Sequence, residues 1–194
     1  DQGTYRLSED FEGDTPKIMG MNSAGWGVVE NHGDWKTFEG KKHLDNNITG
    51  TEQLADPHGF DTLRAFTTKW ITIPEDAVNP SISFWYKADL YDESDAIYLD
   101  IHHIETKKNG KKQYGVKRAI HFHKLAKNTA PGFAWESASL DKYKGMQVLA
   151  VFRQKITQDG PGRIFTVDNV VIEDMPSEDA DSDGIPDKYD PSPN

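Results

Sequence analysis

Two β-branched runs near the C-terminus, Gln147–Lys155 and Arg163–Glu173, are separated by the turn-rich Thr157-Gln-Asp-Gly-Pro-Gly162. Apolar runs of this length, rich in Val, Ile and Phe and bounded by Gly and Pro, predict strands rather than helices. The second run carries Asp168 in an otherwise β-branched stretch. A carboxylate in a buried strand needs a partner. A cation held jointly by Asp168 and the early acids Asp10 and Glu12 answers that need, and would tie the last strand to the first. Pairing of Asp168 with Arg153 or Arg163 answers it as well.

The same strand signal recurs along the chain. Thr4–Phe11 reads as a first strand that runs into Asp10-Phe11-Glu12-Gly13-Asp14. There Asp10 and Glu12 share one side and Phe11 faces the core, the alternative being a solvated acidic turn. Arg64–Ile73 alternates. In Ser81–Ala88, Ile82, Phe84 and Tyr86 share one face, and Ser83, Trp85 and Lys87 the other. Ala96–Thr106 and Lys112–His123 flank Asn109-Gly110, a strong hairpin signal because both residues tolerate positive φ. A tight two-residue turn there sets Tyr98 opposite His121 and His102 opposite Lys117. Ile97, Leu99 and Ile101 then face one way with Ile120 and Phe122. Tyr98, Asp100, His102, Lys117 and His121 face the other.

Residues 15–60 are interrupted by glycines and hold Trp26 and Trp35, with short strands expected at Gly27–Glu30 and around His43–Leu44. A segment this long is expected to pack over the strands rather than stand empty. Asn47-Ile48-Thr49 matches a glycosylation sequon, relevant only in a eukaryotic secretory pathway. No amphipathic helix longer than about two turns is apparent. The chain therefore reads as all-β, an antiparallel sandwich with long glycine-rich loops.

Composition closes off some functions. At 194 residues the chain suits one sandwich with a short appendage. A net charge of −10 argues against nucleic acid held by a general basic field. There is no cysteine, hence no disulfide and no thiol chemistry. No apolar run reaches the length of a membrane span. The polar start, Asp1-Gln2-Gly3, fits a processed protein or an excised module.

Part of the acidity is local to the end of the chain. Asp179, Asp181, Asp183, Asp187 and Asp190 stand at loop positions 1, 3, 5, 9 and 12, with Gly184 where a calcium loop turns sharply. Hard oxygen ligands at this spacing suit Ca2+, the alternative being an acidic disordered linker. The expected division is a sandwich over 1–175 and a calcium-loop segment over 176–194. The segment resembles thrombospondin type 3 and dockerin-like calcium repeats. That resemblance implies a secreted or surface protein in which further domains of the same polypeptide follow.

Asp10-Phe11-Glu12-Gly13, Ser81–Ala88 (SISFWYKA), Ser139–Gln154 and Phe165–Ile172 (FTVDNVVI) together resemble the MAM, cleaved-adhesin and choice-of-anchor J group of jelly rolls. They are also similar to carbohydrate-binding modules of the same fold. The resemblance implies a two-sheet antiparallel jelly roll with a structural Ca2+ at its edge. Its ligands would be early acids and the aspartate of the last strand. Glu12 and Asp168 match that pattern best, and Asp10 and Asp14 less closely.

The polar hairpin face, with Trp85 and Lys87 beside it, supplies the candidate ligand site: Trp85, Lys87, Tyr98, Asp100, His102, Lys117 and His121. A flat aromatic offers a platform for a sugar ring, and a cationic side chain pairs with a uronate or sulfate. An ordinary solvated strand face is the alternative. His121 and His123, two apart, have spacing for a transition metal but lack an evident third ligand. The expected function is a non-catalytic, calcium-stabilised accessory module that binds a polysaccharide or cell-surface glycan. A polysaccharide lyase using Tyr98, His102, Lys117 and His121 is one alternative. A purely structural or adhesive spacer is the other.

Overall fold

The two closing runs form the centres of two different sheets. The computed structural model describes residues 5–14, 27–30, 39–45, 64–66, 70–90, 96–123, 127–129, 132–155, 164–177 and 183–191. In chain order their strands are β1 (Leu7–Glu9), β2 (Gly27–Glu30), β3 (Lys42–Asp45), β4 (Arg64–Phe66), β5 (Ile71–Thr72) and β6 (Pro80–Asp89). There follow β7 (Ala96–Thr106), β8 (Lys112–Phe122), β9 (Ala134–Ser139), β10 (Gln147–Lys155) and β11 (Ile164–Asp174). The first sheet has the order β2-β3-β11-β6-β9, with β1 also on β11; the second has β4-β10-β7-β8, with β5 also on β10. Their pairings are antiparallel. The fold is a two-sheet antiparallel β-sandwich of jelly-roll type, as expected. Because β10 and β11 lie in different sheets, the turn-rich link between them is a crossover rather than a hairpin.

Alternation along the strands makes the core. Ile82, Phe84, Tyr86 and Ala88 of β6 face Ile97, Leu99 and Ile101 of β7 and Val148, Ala150 and Phe152 of β10. Aromatic rings lock the sheets together: Phe84 meets Phe152 at 5.3 Å edge to face, and Phe122 meets Phe165 at 4.8 Å. Each fully buried phenylalanine contributes about 2–3 kcal/mol of hydrophobic stabilisation.

Two irregularities decide which side chains reach the surface. In β11 the pairing with β6 slips between Asp168 and Val171, where Asn169 adopts φ 50. This bulge inserts one residue, so Phe165 and Val167 point inward before it and Val170 and Ile172 after it. The second irregularity corrects the expected hairpin. Only Gly110 takes positive φ (82), and the turn closes with Lys107 N–H on Lys111 O at 2.7 Å and Gly110 N–H on Lys107 O at 2.9 Å. That is a three-residue loop ending in a left-handed glycine, not a two-residue turn. Near the turn the register is therefore shifted by one, with His102 opposite Val116 and Asp100 opposite Arg118. A bulge at Ala119 restores the expected register beyond it, with Tyr98 opposite His121.

Other expectations were met unevenly. The strand expected over Arg64–Ile73 appears as β4 and β5, both on β10. The strand expected over Thr4–Phe11 is shorter: it ends at Glu9, and Phe11 turns with φ 64 while remaining fully buried. Trp26, Trp35, the sequon at Asn47, Arg163, Asp179 and Asp181 lie outside the described residues.

Candidate functional site

The outer face of the second sheet gathers most of the hairpin's polar residues. Tyr98 lies at one end, only 8% exposed, because two guanidinium groups cover its ring. Arg118 stands 3.8 Å from the ring centroid and Arg153 4.4 Å. Arg153 Nε also donates to Asp100 Oδ2 at 2.8 Å, which neutralises that buried carboxylate. His121 lies 4.8 Å from Tyr98 and 5.0 Å from His123. Burial, with smaller contributions from His123 and Arg118, pushes the His121 imidazole below its ordinary pKa.

The other end of the face is aromatic and open. His102 Nδ1 shares a hydrogen bond with the Tyr114 hydroxyl, and the Tyr114 ring meets Trp70 edge to face at 6.3 Å. Tyr114 is 58% exposed and its neighbour Val116 46%. Large apolar groups left in water on an otherwise polar sheet are what a stacking ligand uses. Tyr98 to Ile104 along β7 spans about 20 Å, so the face is a strip rather than a pocket.

This arrangement keeps Tyr98, Asp100, His102 and His121 together and separates the other expected residues. Trp85 and Lys87 belong to β6 in the opposite sheet, so they do not line the hairpin face. Lys117 pairs with Ile101, on the His103 side of the sheet, because the three-residue turn shifts the register and brings Arg118 to the face in its place. Trp70, Tyr114 and Arg118 complete the face in their stead. Alternation with Thr72 places Trp70 outward, but the register that puts it beside Tyr114 depends on the pairing of β5 with β10.

On the opposite sheet, Trp85 meets the chain's end. Its Nε1–H donates to the Tyr189 carbonyl at 3.3 Å, and Tyr189 stacks on Trp135 with ring centroids 6.3 Å apart. A cavity of about 300 Å³ lies between the tail and the sheet, lined among others by Arg6, Glu9, Asp10, Trp135 and Lys188. Lys87 reaches over Phe133 at 5.4 Å.

Asp168 and Glu12 both accept backbone N–H groups from residues 39–42. Asp168 is fully buried, and its oxygens accept the backbone N–H of Glu39 (3.1 Å) and of Asn169 (2.8 Å). Glu12 Oε1 accepts Lys42 N–H at 3.0 Å and also the N–H of Lys41. Asp10 Oδ1 accepts Glu12 N–H at 3.1 Å. Arg153, engaged with Asp100 in the other sheet, is not the partner of Asp168. Glu39 Oε2 accepts Asn169 Nδ2–H at 3.0 Å. Among the described residues no group of three or more acidic or histidine side chains stands ready-made around a metal position. In the tail, Gly184 turns with φ 88, and Asp183 Oδ1 accepts Ile185 N–H at 2.8 Å. Asp187 opens a short 3-10 helix that runs to Tyr189, and Asp190 follows it.

The fold and its surfaces define the class: a jelly-roll β-sandwich module with an aromatic and cationic strip on one sheet. No protein-family model and no curated protein matches the sequence. Solved structures do match. The CBM22-1–GH10 modules of Clostridium thermocellum xylanase Xyn10B, complexed with xylohexaose, align at a TM-score of 0.52 and 12% identity, over 90% of this chain and 29% of that one. The K3 cleaved adhesin domain of Lys-gingipain from Porphyromonas gingivalis aligns at 0.45 and 16%, over 86% and 98%. The CBM22-1 xylan-binding domain of Paenibacillus barcinonensis Xyn10C aligns at 0.42 and 17%, over 86% and 92%. At these identities the likeness is one of fold.

Proposed function

We propose that the protein is a non-catalytic carbohydrate-binding module that holds a polysaccharide along the outer face of its second sheet. The observation that carries this reading is Tyr114, 58% exposed beside Trp70 at one end of a strip whose other end is cationic. An exposed ring offers a sugar a flat apolar surface, and each such contact is worth about 1 kcal/mol. The fold shared with a xylanase module complexed with xylohexaose is in keeping with this reading and supplies no ligand of its own. Calcium belongs to the same proposal, held at the Glu12–Asp168 turn and in the tail, where it would clamp the fold rather than act on the ligand. The protein would work outside the cell, alongside further domains of its polypeptide. No helix among the described residues is long and apolar enough to cross a membrane. Affinity electrophoresis against neutral and acidic polysaccharides, with calcium present, tests the reading. Retardation by at least one polymer supports it, and free migration through all of them refutes it.

A further inference from the structure

We propose that this face is selective for an anionic polysaccharide, and that Arg118 is the residue that reads the anion. The inference rests on the carbohydrate-binding reading and assigns its ligand class. It starts from the difference between the two tyrosines of the strip. Tyr114 is open to a sugar, whereas Tyr98 is 8% exposed and serves as a platform for guanidinium groups. The two arginines on that platform have different duties. Arg153 is fixed to Asp100 at 2.8 Å. Arg118 is exposed, stands over the ring with its guanidinium carbon 3.8 Å from the centroid, and has no carboxylate partner among the described residues.

A stacked guanidinium loses little freedom on binding and presents its N–H edge as a fork that matches a carboxylate or a sulfate ester. Asp100 is the single acid on this face of β7, β8 and β10, and Arg153 already neutralises it. The chain as a whole carries −10 and repels polyanions. Attraction of an acidic glycan therefore has to be local, and this strip is where the cation stands. Arg118 reaches the face because the three-residue turn shifts the register by one and sets it opposite Asp100. Tyr114 and Arg118 are four residues apart on β8, about 13 Å, so one glycan chain can stack on the first while an acidic substituent pairs with the second.

The test is affinity electrophoresis of the full chain in polygalacturonate, dextran sulfate and unsubstituted dextran, with Arg118→Ala and Arg118→Lys beside the wild type. The uronate and sulfate arms separate the two sources of charge. Retardation by at least one acidic polymer is expected, weakening as salt rises to about 0.3 M. Affinity should fall about tenfold or more in Arg118→Ala and recover only partly in Arg118→Lys. Melting temperatures of both variants should stay within a few degrees of the wild type, since Arg118 is exposed and Arg153 still covers Tyr98. The proposal is overturned if the neutral polymer binds as tightly as the charged ones, or if Arg118→Ala binds like the wild type. In either case the carbohydrate-binding reading survives, provided Tyr114→Ala abolishes that binding. Free migration in all three polymers overturns the assignment of ligand class together with the reading beneath it.

Discussion

The Tyr189 hydroxyl donates a 2.6 Å hydrogen bond to Glu173, which fastens the chain's tail to its last strand. Glu173 also accepts Lys188 Nζ at 2.8 Å and Arg6 Nε at 2.9 Å. Burial alone would raise the Glu173 pKa, but these three donors outweigh it and hold the carboxyl below its ordinary value. A depressed carboxylate stabilises the fold above its unfolded pKa, near 4.5, and that stability is lost as pH falls through the lower folded value. Glu173→Gln should cost about 1–2 kcal/mol in urea unfolding, the half-exposed cations adding little. It should also release Tyr189 from Trp85 and Trp135, which tryptophan fluorescence would report. Unchanged emission in the variant would mean that the tail is held by something else.

Gly115 leaves room for the His103 ring. A Cβ at this position would lie 2.6 Å from His103 Cε1, and the ring is packed against Tyr143 at 5.3 Å. Gly115→Ala should therefore destabilise the sandwich by about 1–3 kcal/mol. His103→Ala should relieve most of that cost, so the double variant is expected to be strongly non-additive. Additive losses in urea unfolding would count against the close approach.

Two histidines with lowered pKa values predict a pH window. Burial lowers the pKa of His103, with Lys117 and Lys142 assisting and Glu105 opposing. Burial likewise lowers His121, with His123 and Arg118 assisting across from Tyr98. Below pH 6.5 the unfolded chain then binds more protons than the folded one, so stability falls as pH drops toward 5. The melting temperature should decline between pH 7 and 5, and less steeply in His103→Gln and His121→Gln. A flat profile in the wild type would contradict the lowered pKa of both rings.

Calcium should act on stability rather than on recognition. If Glu12 and Asp168 share an ion, a chelator should lower the melting temperature, and Asp168→Asn should remove most of that calcium-dependent difference. An unchanged melting curve with chelator would contradict the calcium part of the account.

Much of the architecture was legible from alternation. Ile82-Ser83-Phe84-Trp85-Tyr86 announces a strand with one apolar face, and that face is in the core. Assigning strands to sheets was harder, because β10 and β11 look alike in sequence and only pairing energy separates them. The site was legible where register was simple, as for Tyr98 opposite His121. It was not legible where local turn chemistry intervened. Asn109-Gly110 is compatible with both a two- and a three-residue loop, and the choice moves Lys117 off the face and Arg118 onto it. Trp85 was misplaced for a related reason: an outward aromatic on a strand carries no mark of which sheet it belongs to.

The most direct test of the central claim is polysaccharide binding by the wild type and by Tyr114→Ala and Trp70→Ala, read by affinity electrophoresis with calcium present. The account predicts that at least one polysaccharide retards the wild type. It also predicts that both substitutions abolish or sharply weaken that retardation while the melting temperature stays within a few degrees of the wild type. Equal retardation of all three proteins, or free migration of the wild type in every polymer, would contradict it.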